Sequence, residues 1–308
     1  MATILDGKLV RDAILASLKP RIERLTAERR PPGLAVVMVG SNPASEIYVR
    51  NKVKACAELG IAGEKHLPLD TVTTEELLFL VEALNRRPDI DGILIQLPLP
   101  EHIDQQQVLA SIDPSKDVDG FHPCSVGDLV ANRPGFRACT PAGVMRLLEY
   151  YGIPIAGKDA VVVGRSDIVG KPMAFLLLHA HATVTICHSK TANLAEQCRR
   201  ADILIAAMGR PAFLTADFIK PGAVVVDVGI NRLRTPEQVD RVFPGDPQRL
   251  AELEEKGSVI VGDVHPEAFS QASFYTPVPG GVGPLTIAML MSNTVDSAER
   301  RLGIRGSS

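Results

Sequence analysis

Long hydrophobic runs are missing from this chain. No apolar stretch reaches the roughly 18 residues needed to cross a bilayer, so no membrane span is expected. The start, Met1-Ala2-Thr3-Ile4-Leu5-Asp6, has no basic region leading into an apolar core, so a secretion signal is not expected either and the cytoplasm is the expected location. Neither sign of charge is in excess. Thirty-three Lys and Arg against 36 Asp and Glu leave a formal charge of −3, which argues against nucleic acid as a main partner. Cysteine is scarce: the five, at 56, 124, 139, 187 and 198, are odd in number, scattered and without metal-ligand spacing, and Cys56 and Cys187 read as small core residues. What remains, 45% hydrophobic and 22% charged residues over 308 positions, fits a soluble globular enzyme of about two domains.

Absences also define the stretch around which the rest is organised, Asp159 to Pro172. Ala160 to Val163 predicts a short buried strand, Gly164 a sharp turn, and Gly170 the start of a helix. Such a turn aims backbone N–H groups and a helix dipole at one spot, which suits a phosphate. The dinucleotide fingerprint G-x-G-x-x-G would need Gly at 166, where Ser stands, and its last Gly one place earlier. The nucleoside-triphosphate loop would need four residues between its glycines instead of five, and a hydroxyl at 172, where Pro stands. A variant dinucleotide turn is the better reading, although strand–turn–helix with Gly is also common punctuation. The next strand, Thr183 to Cys187, is followed by no acid to hold a ribose hydroxyl. It offers His188, Ser189, Lys190 and Thr191 instead, with Arg165 in the first turn. A hydroxyl and cations favour a 2′-phosphate, hence NADP over NAD. The plain alternative for Ser189 and Lys190 is a solvated loop.

Apolar spacing predicts a helix over Gly7 to Glu28, kinked or split at Pro20, then a strand over 34–39 closed by Gly40. A helix from Ser41-Asn42-Pro43 to Leu59, another from about Thr73, and a strand over 92–97 complete a first α/β unit with parallel crossovers. A Pro-, Gly- and Asp-rich connector occupies 114–141, and a helix N-capped by Thr140 covers 141–151. The second α/β unit takes its strands from 160–164, 183–187, 203–207, 224–228 and 259–261. Residues 231–256, charged and without clear apolar period, read as a surface excursion, and a last helix spans 286–302.

Four further stretches can carry chemistry. Tyr48 and Lys52 lie four apart on one helical face, roughly 6 Å apart at Cβ; the bland alternative is an exposed Lys beside a half-buried Tyr. Gln96 closes an otherwise apolar strand at the end where open α/β sheets bind ligands, or else ties down the proline loop after it. Lys116-Asp117-Val118-Asp119-Gly120-Phe121-His122-Pro123 supplies two acids and a His, although Asp119-Gly120 on its own reads equally as a turn. No metal-ligand spacing surrounds it. The fourth is Pro277-Val278-Pro279-Gly280-Gly281-Val282-Gly283-Pro284.

Taken in order around Gly164-Arg165-Ser166-x-x-x-Gly170-Lys171-Pro172, these motifs closely resemble the bifunctional methylenetetrahydrofolate dehydrogenase/cyclohydrolase family, over about Ala2 to Leu302. Ser125 and Asp128 depart from the resemblance, standing where Asn and Arg are expected, and 235–257 is longer than usual. The resemblance implies an α/β fold of two lobes with an active-site cleft between them. One is a catalytic, tetrahydrofolate-binding domain over 1–140 with the final helix (285–308), the other a Rossmann-like NADP-binding domain over 141–284. It implies a homodimer that oxidises methylene-tetrahydrofolate with NADP⁺ and hydrolyses the methenyl product to formyl-tetrahydrofolate. In the same way Lys52 would be the main catalytic residue, helped by Tyr48, Gln96 and Asp119, with Asp119 gripping the pterin. Gly164, Arg165, Ser166, Ser189 and Ile230 would line the cofactor, and Pro279, Gly280 and Gly281 would approach the substrate. A dehydrogenase without hydrolase activity and a non-catalytic folate- or nucleotide-binding module are the competing expectations.

Overall fold

The computed structural model describes residues 2–304. In chain order the elements open with β1 (Thr3–Ile4), α1 (Gly7–Glu28), β2 (Gly33–Val37), α2 (Pro43–Leu59), β3 (Ala62–His66) and α3 (Thr74–Arg86). Next come β4 (Gly92–Ile95), α4 (Gln105–Ala110), α5 (Pro123–Val130), α6 (Cys139–Tyr150), β5 (Asp159–Val163), α7 (Gly170–His179) and β6 (Thr183–Cys187). The chain continues through α8 (Leu194–Cys198), β7 (Ile203–Ala206), β8 (Val224–Asp227), β9 (Asn231–Leu233), α9 (Pro236–Val242) and α10 (Pro247–Lys256). It closes with β10 (Val259–Val261), β11 (Phe274–Tyr275) and α11 (Gly283–Arg301). These elements fall into two compact units: residues 11–139 with those from 286 onward, and residues up to Val10 with Thr140–Leu285. Among the described residues no helix is long and apolar enough to cross a membrane.

The first unit holds a parallel three-stranded sheet in the order β3-β2-β4. Its central strands are continuously apolar because both faces are covered. Leu34, Val36, Met38 and Leu94 pack into a core with residues of α1, α2 and α11, while Ala35, Val37, Val39, Ile93 and Ile95 pack into a second core with α3 and Val108 of α4. The alternation of side chains along a strand divides the two sets. β3 was not expected; Ala-Gly-Glu-Lys-His carries no apolar stripe, and only backbone pairing to β2 makes it a strand. α1 runs unbroken through Pro20. The expected connector contains a helix, α5, capped by the His122 ring, whose Nδ1 accepts from the Cys124 N–H at 3.0 Å. α6 starts at Cys139, so Thr140 is inside it and not its cap. Pro141 is tolerated there because the first N–H groups of a helix have no partner within it.

The second unit is built on a six-stranded parallel sheet, β1-β11-β8-β7-β5-β6. Val161, Val163, Leu204, Ala206 and Val225 face one core, and Val162, Ile205 and Val226 are fully buried on the other side. Residues 1–10, expected with the first domain, contribute β1 to this sheet, where Thr3 pairs with Phe274. Two expectations are corrected here. Strand 259–261 does not join the large sheet; it pairs antiparallel with β9 in a two-stranded ribbon. And 231–256 is no bare excursion: Leu233, Val239, Phe243, Leu253, Val259 and Val261 form a small core with Ala212. Its helices are too short for a long periodic pattern, but each has a side-chain cap, Thr235 accepting from Gln238 N–H and Asp246 from Gln248 and Arg249 N–H.

α11 is fastened to the first unit by ions as well as by packing. Asp91, fully buried, accepts from Arg30 at 2.6 and 2.8 Å, from Arg301 at 3.0 Å and from the Gly33 N–H at 2.9 Å. Arg21 reaches Glu299 at 2.7 Å and Asp296 at 2.5 Å. Removing one member of a buried pair leaves the others uncompensated. Asp91→Ala is therefore expected to lower stability by about 3–5 kcal/mol, read as an earlier midpoint in urea denaturation.

Candidate active site

Lys52 sits on α2, one turn after Tyr48, and only 6% of it is exposed. Its Nζ donates to Gln96 Oε1 at 3.0 Å. Gln96 is held in turn: its backbone N–H donates to Val37 O at 2.8 Å, continuing the β2–β4 ladder by one residue, and its Nε2 donates to Leu97 O at 2.8 Å. The amide therefore does not merely tie down the proline loop; it does so while turning its oxygen to the lysine. Burial lowers the Lys52 pKa from the usual lysine range, and the Asp119 carboxylate opposes that shift. The half-buried Asp119 is itself pushed up by burial, against the pull of Lys52 and of a hydrogen bond from the Cys139 thiol.

The neighbours of Asp119 explain how it is aimed. Lys116 is consumed by structure: buried, it donates from Nζ to Leu84 O, Asn85 O and Arg87 O at 3.0, 2.6 and 2.7 Å, closing the C-terminal end of α3. Asp117 is consumed too, accepting from Phe121 N–H, His122 N–H and Ser125 Oγ, with burial pushing it up to about 6. Ser125, a departure from the family pattern, thus has its contact. Gly120 N–H donates to Asp117 O at 3.1 Å, so the Asp-Gly turn is real. It leaves Asp119 with Lys52 and Cys139 as its interacting groups. Asn293 of α11 donates to Val118 O at 2.8 Å and to Arg137 O at 3.2 Å, holding the residue that precedes Asp119 in the turn. Cys139 and Asn293 were not singled out from sequence; a lone Asn in the apolar run of α11 was the available signal. A desolvated lysine with lowered pKa, one fixed amide and one carboxylate form a group suited to proton transfer.

In the other unit, β5 and β6 pair with Val163 opposite Cys187, so Arg165 and Ser189, each two residues further on, leave adjacent strands on the same edge. Both are exposed, as are Ser166 and Lys190. Gly164 has φ +144° and a Cβ there would strike the Ala207 carbonyl; a Cβ on Gly170 would strike the Gly164 carbonyl. The turn and the start of α7 are therefore in direct backbone contact, which no other residue pair permits. Ser166 Oγ accepts from Val169 and Gly170 N–H at 3.2 and 3.3 Å. Ile230, 44% exposed, follows β8. Pro279 is exposed and Gly280 half-buried, but Gly281 is buried with its N–H donated to Pro277 O, and a Cβ there would lie 2.6 Å from Thr276 Cβ. Packing of the chain on itself is what requires that glycine. Tyr48, Lys52, Gln96 and Asp119 belong to one unit; Gly164, Arg165, Ser166, Ser189, Ile230 and 279–281 belong to the other.

A parallel sheet with a glycine turn feeding a helix, and a second α/β unit that groups a buried lysine with a glutamine and an aspartate, define a two-domain α/β dehydrogenase with a catalytic and a nucleotide-binding domain. Residues 5–119 match the tetrahydrofolate dehydrogenase/cyclohydrolase catalytic domain, and residues 138–302 match the NAD(P)-binding domain of the same family. The chain belongs to the tetrahydrofolate dehydrogenase/cyclohydrolase family. It is 62% identical to the bifunctional protein FolD of Solibacter usitatus, covering 99% of this chain and 100% of that one. Among solved structures it is similar to the bifunctional FolD enzyme of Campylobacter jejuni (46% identity, TM-score 0.89, 98% and 100% covered). It is also similar to the Trypanosoma brucei dehydrogenase-cyclohydrolase complexed with NADP cofactor and inhibitor (38% identity, TM-score 0.88, 99% of each chain covered).

The electrostatics of Lys52 can be read directly. In an NMR titration its ammonium should lose its proton below the usual lysine value of 10.5. Asp119→Asn, by removing the opposing charge, should move that midpoint lower still. A midpoint unmoved by the substitution would mean that the two groups are not coupled.

Proposed function

We infer that this chain oxidises 5,10-methylene-tetrahydrofolate to the 5,10-methenyl cation with NADP⁺ and then hydrolyses the cation to 10-formyl-tetrahydrofolate. The observation that carries the reading is the buried Lys52, hydrogen-bonded to Gln96 and electrostatically coupled to Asp119. NADP⁺ supplies the hydride acceptor. The absence of an acid after β6, with Arg165 and Ser189 exposed on adjacent strand ends, fits its 2′-phosphate.

Each residue then has a task. Asp119 accepts N–H donors from the aminopyrimidine edge of the pterin, and this fixes the one-carbon centre in the ring plane for both reactions. Lys52, whose charged form burial disfavours, takes a proton from the water that adds to the cationic carbon, and Gln96 holds the amine where that water arrives. The bond from this carbon to N5 then breaks as the added hydroxyl becomes the formyl C=O, with the proton held by Lys52 passed to the departing nitrogen and the hydroxyl proton released to solvent. Tyr48, one turn away, borders the same substrate. Gly164, Arg165, Ser166, Ser189 and Ile230 hold the cofactor, and Pro279 with Gly280 and Gly281 completes the substrate contacts. Folate binding is assigned to the unit of residues 11–139 with the final helix, cofactor binding to the unit of residues 140–285. The enzyme works in the cytosol as a homodimer. Self-association is supported by the unpaired edge of β3 and by Leu67 and Leu69 beside it, 53% and 74% exposed. A dehydrogenase lacking hydrolase activity is disfavoured by the retained Lys52 and Gln96.

Two substitutions test the assignment. Lys52→Met should abolish hydrolysis of methenyl-tetrahydrofolate, followed by its absorbance, and leave NADP⁺ affinity unchanged; hydrolysis at the wild-type rate would remove Lys52 from the mechanism. Arg165→Ala should weaken NADP⁺ by about 10- to 100-fold, the loss of one charge-assisted hydrogen bond, and leave NAD⁺ untouched. Equal losses for both would place Arg165 on the pyrophosphate.

A further inference from the structure

Two aspartates that no step above uses lie buried in the second unit, Asp227 at the end of β8 and Asp263 two residues past β10, 1% and 0% exposed. Asp227 Oδ1 accepts from the Gly229 and Asp263 N–H groups, both at 2.9 Å, and Oδ2 from Val264 N–H at 2.9 Å. Asp263 Oδ2 accepts from Met208 and Gly209 N–H at 2.7 and 2.9 Å, and Oδ1 from Arg210 N–H and Asn231 Nδ2 at 2.8 and 2.9 Å. Among the described residues neither carboxylate has an ion pair with Lys or Arg. Burial, partly offset by these N–H donors, pushes Asp227 up to about 7, with the Asp263 charge adding to the rise.

A packed core does not call for two buried carboxyl groups without a cationic partner, which are costly even when amides solvate them. What they achieve is positional. The donors come from three loops: 208–210 after β7, 229–231 after β8, and 263–264 after β10. The first two leave the sheet at the carboxyl ends of its strands, the end at which β5 and β6 release Arg165 and Ser189 and where open α/β sheets bind ligands. Ile230 stands between a residue held by Asp227 and one held by Asp263.

We propose that Asp227 and Asp263 are positioning residues for NADP⁺, a carboxylate clamp that presents Ile230 and the 208–210 turn to the cofactor. The proposal rests on the assignment of Ile230 to the cofactor site. Its chemistry is specific to carboxylates: each oxygen accepts, and an amide in the same place would set an NH₂ against N–H donors.

The test compares Asp263→Asn, Asn231→Ala and Ile230→Ala in the full-length enzyme. Dehydrogenase KM for NADP⁺ is measured beside hydrolysis of methenyl-tetrahydrofolate supplied directly, without cofactor. Asp263→Asn is expected to raise KM for NADP⁺ by about 10-fold or more with cofactor-free hydrolysis unchanged. Asn231→Ala, which keeps the carboxylate and removes one donor, should raise KM by a smaller factor in a chain that still folds. If both activities fall together with the melting temperature in both Asp263→Asn and Asn231→Ala, the aspartate is merely structural and the proposal fails. If Ile230→Ala raises KM and the other two do not, the clamp is wrong while the cofactor assignment stands. If none of the three moves KM, the assignment of Ile230 falls and the clamp with it.

Discussion

A lysine kept out of water is the constraint on which the catalytic unit turns. Burial disfavours the charged ammonium, and a carboxylate nearby favours it; at Lys52 burial prevails, so the net shift is downward. That balance depends on distances held by backbone: the ladder that carries Gln96 one residue beyond β4, the Asp-Gly turn that isolates Asp119, and the last helix that pins Val118 O through Asn293. A shift in any of these would change the ionisation of the lysine before it changed the fold.

The polar residues around the site divide by whether their hydrogen-bonding capacity is already spent. Lys116 gives all three of its donors to carbonyls of α3, Asp117 takes three donors from the turn it closes, and His122 caps a helix. These residues share one motif with Asp119 and look equally chemical in sequence. Position decides: a group saturated by its own chain has little left to offer a substrate, whereas Lys52 has one hydrogen bond from an ammonium that can make three.

Much of this was legible from residue order. Strands buried on both faces announce themselves as unbroken apolar runs, which is why 34–39, 92–97, 160–164, 203–207 and 224–228 stood out. Gln96 is legible as the polar end of an apolar strand, whereas Lys52, among Arg50, Asn51 and Lys54, and Asp119, in an Asp-Gly turn, stand out only through the ordered set of motifs and the family it resembles. β3 was silent because an edge strand with a polar stripe is defined by its neighbour alone. Residues 231–256 read as an excursion because two short helices and a ribbon share six core residues, packed with Ala212, that are too far apart in sequence to form a period. Cys139 meets Asp119, and Asn293 holds the neighbouring Val118 carbonyl, only through tertiary contacts, one of them spanning 175 residues, and no local pattern encodes that.

The way α11 completes the catalytic unit has a consequence for biosynthesis. Arg21 waits for Glu299 over a separation of 278 residues, and Asp91 waits for Arg301 over 210. Residues 290, 291, 295 and 298 also fill the core beneath β2. A growing chain that has already emitted residues 11–139 therefore lacks one wall of their core and one partner of a buried carboxylate until α11 has been made. The second unit, whose sheet ends with β11, has every strand in hand earlier. On the ribosome the order of folding is thus inverted with respect to sequence: the nucleotide-binding unit has all its strands before α11 supplies the remaining wall of the catalytic unit's core.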